Sequence, residues 1–180
     1  GMDIPLIRKF ACGYVGGVKS VNATADVFQN MTGTTPSAWN DPAKGAELTK
    51  SQIDRGADVV YHAAGGTGMG VIQAAVDSGK LAIGVDSNQN GIAPGSVLTS
   101  MLKRVDVAAY ETFMDAKNGT FSSGIRVLGV AEGGVDWAVD DNNESLITDK
   151  IKSAVETARS DILSGKVEVH NYESDSSCPY

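Results

Sequence analysis

The chain has 180 residues, 42% of them hydrophobic and 6% aromatic, with a formal net charge of −7. That length suits one domain or a little more, with apolar content enough for a real core. The acidity leaves nothing to neutralise a row of phosphates, which argues against a duplex nucleic-acid binder, and no stretch of about 18 apolar residues is present to span a bilayer. No signal peptide is visible. The two cysteines, Cys12 and Cys178, are far apart and not at metal-ligand spacing. A disulfide formed in an oxidising compartment and a pair of separate thiols both fit them.

Asp3 and Pro5 read as a helix start, with Asp as N-cap and Pro in the first turn. Leu6, Ile7, Phe10, Tyr14, Val15 and Val18 continue it at helical spacing. "ADVFQNM" (25–31) reads as a strand and "TGTTPSAWN" as a loop. Asp41 and Pro42 open a second helix that runs to about Arg55 and stops at Gly56. "ADVVYHAA" is a short apolar strand, residues 67–78 are helical, "LAIGV" (81–85) is a third strand and "SVLTS" (96–100) a fourth. The next helix is predicted from Met101 to Lys117, with Leu102, Val105, Ala109, Phe113 and Ala116 on one face. "IRVLGVAEGGVDWAV" (125–139) reads as two strands about a Gly133–Gly134 turn. A last helix runs from about Ser145 to Leu163, "KVEVHNY" reads as one more strand, and the end is a polar tail.

Strands alternating with helices predict an α/β, doubly wound, mostly parallel sheet covered on both faces. In such sheets ligands bind outside the carboxyl ends of the strands. Gly65 to Gly70 and Asp86 both lie at such ends, so they should share one edge of the molecule.

The glycines admit two readings. Gly66, Gly68 and Gly70 follow a strand and open a helix, and Asp86 stands 20 residues after Gly66, where an acidic residue holds a ribose in dinucleotide-binding enzymes. The run is not G-x-G-x-x-G, however, because the last interval is one residue short. The alternative is a small-molecule cradle without redox chemistry. Glycines let backbone N–H groups approach a ligand, the amino end of a helix favours a polar group, and Asp86 can accept two sugar hydroxyls. Lys103, placed near the start of its helix, can donate to the same hydroxyls or pair with Asp86. Residue by residue there is a plainer account: glycines for tight strand–helix packing, Asp86 as a turn cap with Asn88, a solvated Lys103.

The stretches "WNDPAKGAELTKSQIDRGAD", "GADVVYHAAGGTGMGVIQAA", "IGVDSNQN" and "PGSVLTSMLKRVD" closely resemble the basic membrane protein family of substrate-binding proteins of bacterial ABC importers, which includes purine nucleoside receptors. The resemblance covers nearly the whole chain. It implies a type I periplasmic-binding fold with a nucleoside closed between two lobes. It also implies a ribose held by Asp86 and Lys103, a pocket floor of Gly65, Gly66, Thr67 and Gly68, an ABC permease as membrane partner, and an extracytoplasmic, lipoprotein-like location. Family members are longer. The resemblance therefore divides the chain into a lobe-connecting segment (1–10), a second lobe (11–117), returning elements of the first lobe (118–165) and a closing strand with polar tail (166–180). Without a covering lobe, the apolar face of Ile147, Ile151, Val155 and Ile162 is expected to be exposed and to drive self-association.

Tyr61 and His62 directly precede the glycines, and Trp39 lies in the loop before Asp41. Tyr61 suits stacking on a base as well as ordinary strand packing. Trp39 suits the mouth of a cleft or a contact at a helix entry. His62, alone, has no Cys, Ser-His-Asp set or second histidine near it in sequence to make a nucleophile or a metal site. No cofactor, metal site or catalytic acid–base pair is expected, so the chain reads as a binder. A nucleotide-dependent oxidoreductase using Gly66–Gly70, or a binder of another sugar-like ligand, are the alternatives.

Overall fold

The computed structural model describes residues 1–180. Its sheet has the order β1-β2-β3-β4, where β1 is Val59–Tyr61, β2 Leu81–Asp86, β3 Val97–Lys103 and β4 Val135–Trp137. The first three strands are parallel and β4 runs antiparallel to β3. The α/β architecture with a parallel-dominated sheet is as the alternation of elements predicts.

Helix α2 (Pro42–Asp54) begins where expected, because the Asp41 carboxylate accepts from the Lys44 N–H at 2.9 Å. It packs against α3 (Gly68–Asp77), which links β1 to β2. Small residues set that contact: a β-carbon on Gly70 would collide with the Pro42 carbonyl, and one on Gly45 would stand 2.5 Å from the Thr67 carbonyl oxygen. Ile72 and Ala75 of α3 close the core against Ala82 and Val97 of the sheet, all four almost fully buried.

Helix α1 (Pro5–Val21) starts after Ile4 and has no side-chain cap. Asp3 forms instead a paired hydrogen bond to Arg8, both contacts at 2.7 Å, so its carboxylate is spent one turn into the helix. The helix runs without a break through position 10. Cys12 and Cys178 form a disulfide, and Lys9 meets Glu173 at 2.9 Å. Together they fasten the tail, including α6 (Tyr172–Asp175), to α1. The strand expected at 166–172 does not form. Lys166 and His170 engage Asp161 and Asp175 close by in the chain.

Residues 25–31 form no ladder either. With α1 and β1 they line a cavity of about 510 Å³, and β1 is left as the edge of the sheet. Residues 101–103 belong to β3 and not to a helix, because ladders bind them on both sides, to Val85 and Asp86 of β2 and to β4. Helix α4 (Val105–Asn118) therefore starts later than predicted and ends at Gly119, which is left-handed. Only the second arm of the expected hairpin pairs. The turn is real, with the Gly134 N–H donating to the Gly129 carbonyl at 2.8 Å, but residues 125–130 join no strand ladder.

Helix α5 (Asp149–Leu163) is capped by Thr148, whose hydroxyl accepts from the Ile151 N–H. Its apolar face is not exposed as expected: Ile147 is buried, and Ile151, Val155 and Ile162 are half-buried. The uncovered apolar surface lies on α4 and the segment after it. No helix is long and apolar enough to cross a membrane.

Candidate ligand-binding site

Parallel strands β1, β2 and β3 bring their carboxyl ends to one edge. Asp86 ends β2 and Lys103 ends β3, the next strand, where Asp86 registers with Leu102. The Lys103 ammonium donates to the Asp86 carboxylate at 2.8 Å, and both side chains are about half exposed. One carboxylate oxygen is thus oriented by the lysine while the other remains available. Asp86 is also one of two non-glycine residues with a positive φ, at +67°. The Ser87 N–H donates to the Val85 carbonyl across it at 2.8 Å. A three-residue turn of this kind is rare and strained, and such strain clusters at functional sites.

The segment after Asp86 is held by buried amides and hydroxyls. The Gln89 side-chain oxygen accepts from the Val85 N–H at 2.9 Å, and the Ser100 hydroxyl accepts from the Gln89 N–H at 2.9 Å while donating to Asn90 at 2.8 Å. Asp140 accepts from both Asn88 and Asn90. These donors, Asn88 first, hold its carboxyl below the usual range. This polar scaffold fixes the strained turn. Asp140 and Ser100 carry no local pattern that marks them, so sequence reasoning missed them.

The glycines divide in two. Gly65, left-handed at φ +56°, and Gly66 are exposed, and their N–H groups donate to no protein acceptor. Against them lies the backbone of Trp39, at the end of the short turn Pro36–Trp39. Gly68 and Gly70 are packing residues, since a β-carbon at Gly68 would collide with the His62 ring and one at Gly70 with Pro42. The glycine spacing that suggests a dinucleotide fingerprint therefore has a different physical origin. Thr67 is fully buried. Its hydroxyl donates to the Ala38 carbonyl and accepts from the Asp41 N–H, each at 2.8 Å, and its own N–H donates to the Ala64 carbonyl. Thr67 thus ties the glycine turn to the start of α2, with its hydroxyl both donating and accepting within the protein.

Tyr61 stands between α1 and this cluster, close enough for the Asp86 charge to act on its phenol. Its ring centre lies 5.2 Å from that of Tyr14 on α1, at the wall of the cavity, and burial pushes its phenol up. Trp39 stands half-buried beside the glycine turn. No group of three or more acidic, histidine or cysteine side chains is arranged to hold a metal ion. The edge thus joins two open amides, an oriented carboxylate and an ammonium, an arrangement that can bind a neutral polyhydroxyl group.

Residues 1–172 match the family model described as ABC transporter substrate-binding protein, PnrA-like. Among curated relatives, the ABC transporter nucleoside-binding protein BmpA of Lactococcus lactis is 34% identical over 94% of this chain and 51% of its own length. Basic membrane protein D of Borreliella burgdorferi is 29% identical over 94% of the chain and 49% of its length. The chain spans about half the length of these relatives. A solved solute-binding protein of an ABC transporter system from Aeropyrum pernix superposes with a TM-score of 0.80 at 27% identity, covering 95% of this chain and 56% of that one. With an α/β sheet like that of a solved solute-binding protein and a family match over residues 1–172, the chain belongs to the PnrA-like, basic membrane protein family of ABC transporter substrate-binding proteins.

Proposed function

We propose that this chain is the ribose-holding part of a nucleoside receptor serving an ABC importer. The observation that carries the reading is the Lys103–Asp86 pair at 2.8 Å, set on a strained turn at the same carboxyl edge of the parallel strands as the open amides of Gly65 and Gly66. A carboxylate oriented by an ammonium accepts hydroxyl hydrogens, and the lysine donates to the same oxygens. The L. lactis relative is named for nucleoside binding, which supports this ligand class over other sugar-like molecules. In the whole receptor, a second lobe would close over the ligand, and a permease in the membrane would read the closed state. The Cys12–Cys178 disulfide supports an oxidising, extracytoplasmic setting.

The test is calorimetry with a panel of purine and pyrimidine nucleosides on the receptor that contains this chain. Asp86→Asn is the right variant, because asparagine tolerates a positive φ and only the charge is lost. It is expected to weaken nucleoside binding by about 1.5–3 kcal/mol, the scale of a hydrogen bond to a charged group. The pair is half exposed and contributes little to folding, so the melting temperature should barely move. Unaltered affinity in Asp86→Asn would remove the carboxylate from the site.

A further inference from the structure

Beneath the glycine turn lies a side chain that the Asp86–Lys103 pair does not use. His62 follows β1 and is 4% exposed, and neither Nδ1 nor Nε2 has a hydrogen-bond partner. A neutral imidazole carries one N–H donor and one bare acceptor. Native structures seldom bury both without a partner, and such an orphan calls for an explanation. The ring lies against the Cα of Gly68, the first residue of the ten-residue helix α3. It thus sits at the amino end of that helix, close to the open amides of Gly65 and Gly66. The Gln89 side chain is near enough to oppose the effect of burial on the imidazole, but its oxygen accepts from Val85 and no hydrogen bond of normal geometry joins it to either ring nitrogen. Asp86 is near enough for its charge to act on the ring, as does the amino group of Gly1. Burial dominates and lowers the imidazole to about 4, so it is neutral at neutral pH.

We propose that His62 is a specificity-determining contact in the floor of the site, which reads one hydroxyl of the ligand's sugar next to those held by Asp86. This rests on the nucleoside reading above. A hydroxyl is the group that fits: it donates and accepts, so it satisfies either tautomer, and it is neutral. A phosphate or carboxylate would engage only the donor and would stand beside the Asp86 carboxylate. To reach the ring, the hydroxyl displaces the Gly65–Gly66 part of the turn. That part is exposed and its amides are unbonded, whereas Thr67 stays anchored to Ala38 and Asp41.

The chain has two histidines, His62 and His170, so imidazole ¹⁵N signals report on the site directly. With millimolar inosine the His62 nitrogens should shift while those of His170 stay in place. Of 2′-deoxyinosine, 3′-deoxyinosine and 5′-deoxyinosine, the one lacking the read hydroxyl should leave His62 unmoved and bind roughly tenfold more weakly than inosine. His62→Leu should collapse that preference to less than about threefold, and His62→Gln, which keeps a donor and an acceptor, should retain most of it. If inosine shifts backbone signals of Gly65, Gly66 and Asp86 while the His62 nitrogens stay fixed, the inference is overturned and the nucleoside reading stands. If no nucleoside binds even the receptor that contains this chain, the nucleoside reading falls and takes this contact with it; if that receptor binds nucleoside while its His62 nitrogens stay fixed, this contact alone falls. Should His62→Leu fail to fold, the ¹⁵N shifts of the unaltered chain decide alone.

Discussion

A histidine folded away in its neutral form makes stability depend on acid. His62 falls from an ordinary 6.5 to about 4, with burial as the largest cause. Between those values the unfolded chain binds the proton and the folded chain does not, so stability rises with pH across that window. The contribution is fully present above about 6.5, declines as pH falls, and is lost below about 4. The shift corresponds to roughly 3 kcal/mol. Chemical denaturation at pH 7.0 and pH 4.5 should therefore show a loss of about 2–3 kcal/mol in the native chain, and a clearly smaller loss in His62→Gln. Asp86 and the Gly1 amino group face the same ring and are unchanged in the variant, so the difference between the two chains isolates the imidazole. Parallel losses in both would mean that the acid sensitivity lies elsewhere.

At the level of elements, the glycines after β1 separate by what they touch. A methyl at Gly70 meets the backbone carbonyl of Pro42, which cannot yield without moving α2. Gly70→Ala should cost about 2–3 kcal/mol of stability by forcing α2 and α3 apart. At Gly66 the added carbon would stand 3.1 Å from the Asn40 side-chain oxygen and 3.2 Å from the Trp39 carbonyl, contacts that small shifts relieve. Gly66→Ala should lose less than about 1 kcal/mol in urea titrations while weakening ligand binding. Equal losses in the two variants would contradict this division. Such a distinction is invisible in the sequence, where the glycines look alike and differ only through the partners that tertiary packing brings. What is local was legible: Asp41–Pro42 announces α2 because the cap bonds within its own first turn, and β2 is marked by its run of apolar residues. Gly65 to Gly70 and Asp86 also read as sharing one edge, since parallel strands must align their carboxyl ends. Lys103 was assigned to a helix because its membership of β3 depends on β4, more than thirty positions later. The strand expected at 25–31 fails for a comparable reason: no local signal reports a cavity between it and β1.

For the molecule as a whole, the largest unresolved force is apolar surface. On α4, Val105 is 62% exposed, Tyr110 66% and Phe113 75%, and in the segment that follows Phe121 is 58%, Ile125 98% and Val127 79% exposed. No residue of α4 is buried. An amphipathic helix is stabilised chiefly by covering such a face, and patches of this kind on soluble proteins mark contact surfaces. The family relatives are about twice as long as this chain, so in a complete receptor other parts of the protein are available to cover it. Alone at micromolar concentration, the chain has only copies of itself to offer, and a symmetric pairing through α4 buries the same face twice. We therefore expect the isolated 180-residue chain to sediment as a dimer or larger species over the micromolar range. Placing charge at the centre of the patch, as in Phe113→Glu with Ile125→Lys, should shift it toward monomer by tenfold or more in dissociation constant, because a desolvated charge opposes association. The helical signal should be kept, since neither side chain is buried in the fold. A native chain that is monomeric at 100 μM, or a charged variant that associates as tightly as the original, would show that α4 and residues 121–127 are not the adhesive surface.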